Sequence, residues 1–396
     1  MRVTITPNSL FGSIKAIASK SVAHRQLICA SFSDKQAKIV CPEISRDITA
    51  TADCLRALGA EIEYREDSFY INPIKEIKEN PVLDCCESGS TLRFMLPLVC
   101  ALGINATFKM EGRLPQRPLS PLWEELIAHG SVLEKPREDI IKISGKLKGG
   151  SFKIRGDISS QFITGLLFAA SLLKDACTID ITSKIESMPY INITCDVLKQ
   201  FGITVNFKDN SFTTEGRYIS KGEYKEDGDW SNGAFWICAD ELSEKKIICN
   251  GLSENSSQGD KEIVNAIKEL KKEISVIDGS DIPDLIPIIS VVASVSPGKT
   301  VIKNASRLKI KESDRLEAVN ELIKNLGGII ETTDDGLIIN GIKKLKGGTV
   351  DSHNDHRIAM SAAVAAFFAE GCVTVTDAQC ADKSYPTFWE EFEALK

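Results

Sequence analysis

The sequence is poor in histidine, with four in 396 residues, and has no basic surplus: 48 Lys and Arg stand against 55 Asp and Glu, for a net charge of -7. Nucleic-acid binders normally carry a cationic excess or a basic run, so that class is excluded. The longest apolar stretches, around residues 92–102 and 285–295, contain Pro97 and Pro287. They fall short of the roughly 18 residues that span a bilayer, so no membrane segment is expected. Residues 1–10 lack the charged start and apolar centre of a secretory signal, and a cytoplasmic location is expected. His353 and His356 are three residues apart but have no nearby Cys ligand, so no metal site is expected. No G-x-G-x-x-G follows a strand pattern, and G-x-S-x-G is missing, which argues against a dinucleotide cofactor and a hydrolase elbow. Gly298-Lys299-Thr300 ends like a phosphate loop, but Ala293 stands where its first glycine is required. No cofactor of any kind is expected. None of the twelve cysteines forms a C-x-x-C pair, and most, such as Cys29, Cys54, Cys100 and Cys238, lie inside apolar stretches. Free thiols in a reducing compartment fit this better than disulfides. The adjacent Cys85 and Cys86 fall outside that pattern.

What is present is a large apolar fraction, 43%, enough for a sizeable core, in a chain long enough for roughly two to four domains. It is organised by repeats. A helix running into Gly and then a strand recurs with the glycines at 59, 130, 202 and 327, and Lys271 fills the matching place in another copy. Glycine suits a helix end because the left-handed conformation costs it nothing there. A second segment, a polar cluster opening an apolar helix, recurs around Ser21, Ser90, Ser160, Ser231, Asp284 and Asp355, at intervals of 69, 70, 71, 53 and 71. Six α/β units result, read as two lobes of three, with a boundary near residues 224–230. The short interval indicates that about 17 residues, a hairpin's worth, are missing between the fourth and fifth units.

The apolar helices start with Ser, Asn or Asp, and simple capping explains each singly. Cations accompany them, however: Lys20 and Arg25, Arg93, and Arg357. A cation at a helix start opposes the macrodipole unless an anion lies between, so anionic ligands are favoured over capping alone. Further basic residues occur in Arg113-Leu-Pro-Gln-Arg117-Pro, in the dense charge run at 309–315, and at Lys383.

Taken in order, Lys20-Ser21 with Arg25, Ser88-Gly89-Ser90-Thr91-Leu92-Arg93, Gln116-Arg117-Pro118, Ser159-Ser160-Gln161, Lys311-Glu312-Ser313-Asp314-Arg315 and Asn354-Asp355-His356-Arg357 resemble the 5-enolpyruvylshikimate-3-phosphate synthase family over nearly the whole chain. The resemblance implies an α/β (α+β) fold of two lobes, each an inside-out barrel of three βαβαββ units with pseudo-threefold symmetry and the active site in the interdomain cleft. It implies lobes of residues 13–227 and of 1–12 plus 228–396. The implied activity is transfer of the enolpyruvyl group of phosphoenolpyruvate to the 5-hydroxyl of shikimate 3-phosphate, by addition and elimination, in a monomer without a metal.

On this resemblance Asp284 would take the hydroxyl proton, and Glu312 and Lys20 would act in proton transfer at the methylene carbon. Lys20, Ser21, Arg25, Ser159, Ser160, Gln161, Ser187, Tyr190, Asp284 and Lys311 would contact shikimate 3-phosphate. Lys20, Gly89, Arg93, Arg117, Gln161, Arg315, Arg357 and Lys383 would hold phosphoenolpyruvate, where the family inhibitor glyphosate would also sit. Arginine suits that task because its planar fork grips carboxylate and phosphate bidentately. Gly89 is expected to leave room for a ligand beside its helix start. Glu87 departs from the family pattern, standing where many members carry Asn. The rival readings are the transferase acting on UDP-N-acetylglucosamine, which has Lys-Asn where this chain has Lys20-Ser21, and a non-catalytic binder of anionic metabolites.

Overall fold

A computed structural model of the protein describes residues 1–7, 10–225, 227–243 and 245–395; Glu226, in the expected boundary, and Asn8 and Ser9 lie outside them. The chain divides into two compact units, residues 18–226 and residues 1–17 with 227–396. Each has a separate apolar core.

Residues 18–226 build three four-stranded sheets of one pattern. In the second, Val82–Asp84 runs parallel to Ala106–Lys109, followed by Ile140–Gly145 and Ser131–Arg137, both antiparallel. In the third the order is Gly150–Ile154, Cys177–Ile181, Ser211–Gly216 and Ile203–Lys208. A parallel pair needs a crossover, and the buried helices Gly89–Leu102 and Ser160–Ala170 provide it. Their first turns are closed by Ser88, accepting from Thr91 N at 3.2 Å, and Ser159, accepting from Gln161 N at 3.3 Å. In the first repeat, Lys20–Ser31 leads into Ala37–Val40, but the parallel partner is Glu223–Lys225, from the far end of the unit. The third repeat's exit therefore completes the first. The four glycines expected at helix ends all have positive φ: 123° at Gly59, 99° at Gly130, 82° at Gly202 and 86° at Gly327.

In the other unit, among the described residues, only the fifth repeat is complete. Ile274–Asp278 and Lys299–Lys303 are parallel across helix Ile286–Val295, with Leu337–Asn340 and Ile329–Thr332 beside them. The sixth pairs Gly348–Asp351 with Val373–Thr376 across His356–Ala365, and its antiparallel strand is Arg2–Ile5. The fourth has two strands, Gly12–Lys15 parallel to Ile247–Asn250, the second of which follows helix Trp230–Leu242. From there the chain runs through helix Ile263–Glu269 straight into Ile274–Asp278. The missing hairpin inferred from the short repeat interval is thus absent among the described residues. Because Gly12–Lys15 is bonded to Ile247–Asn250, the chain leaves this unit after Ile17, and the expected boundary between residues 12 and 13 falls inside a strand.

Cys85 and Cys86 occupy the turn between strand Val82–Asp84 and helix Gly89–Leu102. Cys85 is buried, and Cys86, with φ 47°, is exposed with its thiol pushed up to about 12 by partial burial and by Asp84.

Candidate active site

Within residues 18–226 the basic residues at the helix starts form two groups. Arg25 is 3% exposed and donates from Nε to Thr194 Oγ1 at 2.8 Å, from Nη1 to the Ser21 carbonyl at 2.6 Å, and from Nη2 to the Tyr190 carbonyl at 3.0 Å. Among the described residues no carboxylate pairs with it, and burial brings its pKa down to about 10. A buried guanidinium held only by neutral acceptors is electrostatically open to an anion. Beside it in sequence, Lys20 Nζ lies 2.9 Å from Asp47 Oδ2. Ser187, which starts helix Met188–Gln200, has the left-handed φ of 57°, a conformation found chiefly where the surroundings enforce it.

The second group centres on Gly89. A Cβ there would lie 2.6 Å from Arg117 Nη1 and 2.9 Å from Arg93 Nη1, so two guanidiniums converge on this glycine. The space expected for a ligand beside Gly89 is filled by these side chains instead. Arg93 donates to Gln161 Oε1 at 2.8 Å and to the Pro118 carbonyl at 3.0 Å, and Gln161 Nε2 donates to Ser90 Oγ at 2.9 Å. The helices carrying Arg93 and Gln161 touch backbone to backbone: a Cβ on Gly165 would meet the Arg93 carbonyl at 2.2 Å. Only glycine permits that approach. Glu87 packs against Gly112, in the turn leading to Arg117. Ser160 is buried at the same helix start as Ser159 and Gln161.

In the unit containing 227–396, Arg315 is 1% exposed and binds three carboxylates: Asp355 Oδ2 through Nε, Asp284 Oδ1 through Nη1 and Glu312 Oε2 through Nη2, each at 2.7 Å. A ligand carboxylate would have to displace one of them, so Arg315 is engaged where the resemblance implied a ligand contact. Asp284 also has Lys311 Nζ at 3.5 Å and Arg357 Nη2 at 3.6 Å. Burial works against its charge, but Lys311, Arg357 and Arg315 together hold its carboxyl well below the usual carboxylate range. Lys311 is lowered, chiefly by burial, with Asp284 opposing. Two successive left-handed residues, His353 at φ 50° and Asn354 at 54°, turn the chain into helix His356–Ala365, whose N-cap Asp355 accepts from Arg357 N at 2.9 Å. Lys383 joins this group by donating to the Asn354 carbonyl at 2.7 Å. Tyr385, two residues on, accepts from Trp236 Nε1 at 2.8 Å and so ties the Lys383 segment to the core.

Several partners were not visible in the sequence. Asp47, Thr194 and Asp355 bind Lys20, Arg25 and Arg315 from distant positions, and Ser231 holds Arg357 through its carbonyl at 2.9 Å and its Oγ at 2.6 Å. Asp355 stood inside a recognised tract and Ser231 marked a helix start; Asp47 and Thr194 carried no signal beyond being polar residues on amphipathic helices.

A model of the EPSP synthase (3-phosphoshikimate 1-carboxyvinyltransferase) family matches residues 5–392. Among similar proteins is the 3-phosphoshikimate 1-carboxyvinyltransferase of Clostridium perfringens (strain SM101 / Type A), 42% identical over 416 residues, covering 100% of this chain and 98% of the relative. That of Clostridium kluyveri is 42% identical over 419 residues, covering 99% and 97%. A solved structure of EPSP synthase from Acinetobacter baumannii matches with a TM-score of 0.81 at 21% identity, covering 100% of this chain and 98% of that one, a likeness of fold.

Proposed function

The chain belongs to the EPSP synthase family, and from that premise we propose that it transfers the 1-carboxyvinyl (enolpyruvyl) group of phosphoenolpyruvate to the 5-hydroxyl of shikimate 3-phosphate, releasing phosphate. This is a step of the shikimate pathway to aromatic amino acids. The observation that carries the assignment of groups is the imbalance around single residues: Arg25 buried with no acid beside it among the described residues, and Asp284 faced by three cations.

Arg25, with Lys20, Ser21, Ser159, Ser160, Gln161, Ser187, Tyr190 and Lys311, takes shikimate 3-phosphate. Arg93, Arg117, Arg357 and Lys383, beside Gly89, take phosphoenolpyruvate, and Arg315 joins them on yielding one carboxylate partner. In the addition step the substrate oxygen bonds to C2 of phosphoenolpyruvate, Asp284 accepts the hydroxyl proton, and C3 gains a proton to become a methyl group. In the elimination step the C2–phosphate bond breaks and C3 returns a proton, restoring the double bond. Lys20 and Glu312 are the groups for the C3 proton. The low pKa of Asp284 makes it a weak base while Lys311 and Arg357 face it. Anionic substrates draw those cations, which raises its proton affinity when the hydroxyl arrives.

The test is phosphate release from phosphoenolpyruvate, expected only with shikimate 3-phosphate. Release with UDP-N-acetylglucosamine instead overturns the reading. The protein is further read as a cytoplasmic monomer; its thiols, most of them buried, suit a reducing compartment, and size-exclusion chromatography checks the monomer.

A further inference from the structure

Asp260 lies in the short turn Gly259–Glu262 of the repeat that lacks its hairpin, and it is 4% exposed. The turn is docked on a helix start: Gln258 Oε1 accepts from Trp230 N at 3.0 Å, and Gln258 Nε2 donates to the Gly228 carbonyl at 2.9 Å. This brings the Asp260 carboxyl beside the Ser231 side chain, whose hydroxyl favours its charged form. The Ser231 oxygen already accepts from Arg357 Nη2, so its single hydroxyl proton is the part left for Asp260. Arg357 in turn faces Asp284 at 3.6 Å. Buried Asp260 and half-buried Asp284 therefore share one guanidinium, the first of them through a serine.

The charged groups around Asp260 come from three elements: Asp229 ahead of helix Trp230–Leu242, Asp284 ahead of helix Ile286–Val295, and Arg357 on helix His356–Ala365. On its own turn, Lys261 donates to the Glu254 and Ser256 carbonyls and Glu262 accepts from Asn265.

We propose that Asp260 is a positioning residue of the phosphoenolpyruvate clamp, which sets Arg357 through the Ser231 hydroxyl and takes up a proton when an anion occupies that arginine. An anion on Arg357 diverts the cation that balances Asp260 against Asp284, and neighbouring carboxylates so exposed to each other share a proton. The carboxyl is poised for this, pushed up to about 6 by burial and by Asp284. The proposal rests on the reading of Arg357 as a phosphoenolpyruvate contact.

The test uses phospholactate, the saturated analogue of phosphoenolpyruvate, titrated into the protein with shikimate 3-phosphate. Calorimetry in buffers of different ionisation enthalpy counts protons. The ligand phosphate titrates in the same range, so the readout is wild type minus Asp260→Asn, which keeps an acceptor for Ser231 but cannot titrate. Wild type takes up more protons than the variant. Between pH 6 and pH 8 its affinity falls about fivefold more, for a rise of one pKa unit on binding. Ser231→Ala removes the hydroxyl that favours the charged form of Asp260 and cuts the link to Arg357, so the uptake is reduced. If neither variant folds by circular dichroism, wild-type uptake beyond that of the ligand itself still decides. Equal uptake by wild type and Asp260→Asn overturns the proposal and leaves the reading of the clamp standing. Failure of phospholactate to bind beside shikimate 3-phosphate overturns that reading instead.

Discussion

Arg117 Nη1 packs against Gly89, 2.6 Å from where a side chain on that residue would begin, with Arg93 Nη1 at 2.9 Å from the same point. Gly89→Ala therefore drives both guanidiniums aside without disturbing a helix start that tolerates alanine. The expected result is a KM for phosphoenolpyruvate raised about tenfold, with a smaller change in kcat, measured at saturating shikimate 3-phosphate. An unchanged KM would mean that these arginines do not seat phosphoenolpyruvate.

Asp284→Asn removes the base but keeps the shape. Turnover should fall by about 10²–10⁴, with shikimate 3-phosphate still bound. Loss of binding with turnover intact at saturation would remove the base role. The folded pKa of Asp284 lies below its ordinary 3.8, so its charge stabilises the protein above that pH and ceases to as pH falls further. Urea midpoints of wild type and variant should converge on acidification from neutrality to below that range.

Arg25→Gln keeps polar contacts and deletes the charge. The KM for shikimate 3-phosphate should rise about a hundredfold, the equivalent of one or two charge-assisted hydrogen bonds. Shikimate 3-phosphate should also raise the melting temperature of wild type and not of the variant. A variant still stabilised by that ligand would place the phosphate elsewhere.

A buried polar chain runs from His24 Nδ1 to Thr51 Oγ1, on to Thr91 Oγ1 and then to Ser88 Oγ, each step 2.7 Å. It ties helix Lys20–Ser31, through Arg46–Leu58, to the start of Gly89–Leu102. Thr91→Val should cost about 1–3 kcal/mol of stability in urea unfolding, because Thr51 loses a buried partner. Burial, with Lys20 and Arg25, holds His24 well below its ordinary 6.5. Its contribution is full above that pH and declines below it, and His24→Gln should flatten that slope. An equally steep slope in the variant would assign it to another group.

The repeats were legible because each buried helix opens on a polar cluster and continues as an apolar run, as at Ser88, Ser159 and Asp355. The interval of 53 between Ser231 and Asp284 likewise exposed the trimmed fourth repeat. What stayed hidden was pairing between distant strands. Nothing local marks Glu223–Lys225 as the partner of Ala37–Val40, or Gly12–Lys15 as that of Ile247–Asn250. The cations were legible as residue types next to helix starts. Their acids were not, since Asp47, Asp260 and Asp355 reach Lys20, Ser231 and Arg315 only once the helices pack. The engagement of Arg315 by three carboxylates is of the same kind.

The interrupted unit also sets an order of events at the ribosome. Arg2–Ile5 and Gly12–Lys15 are made first, but their partners, Val373–Thr376 and Ile247–Asn250, come after the whole of 18–226 has been synthesised. The contiguous unit can fold while those two strands wait with open edges, tethered and exposed to mispairing. An N-terminal fusion that kept residues 2–5 from returning would leave the early unit intact and strip the last sheet of its antiparallel strand.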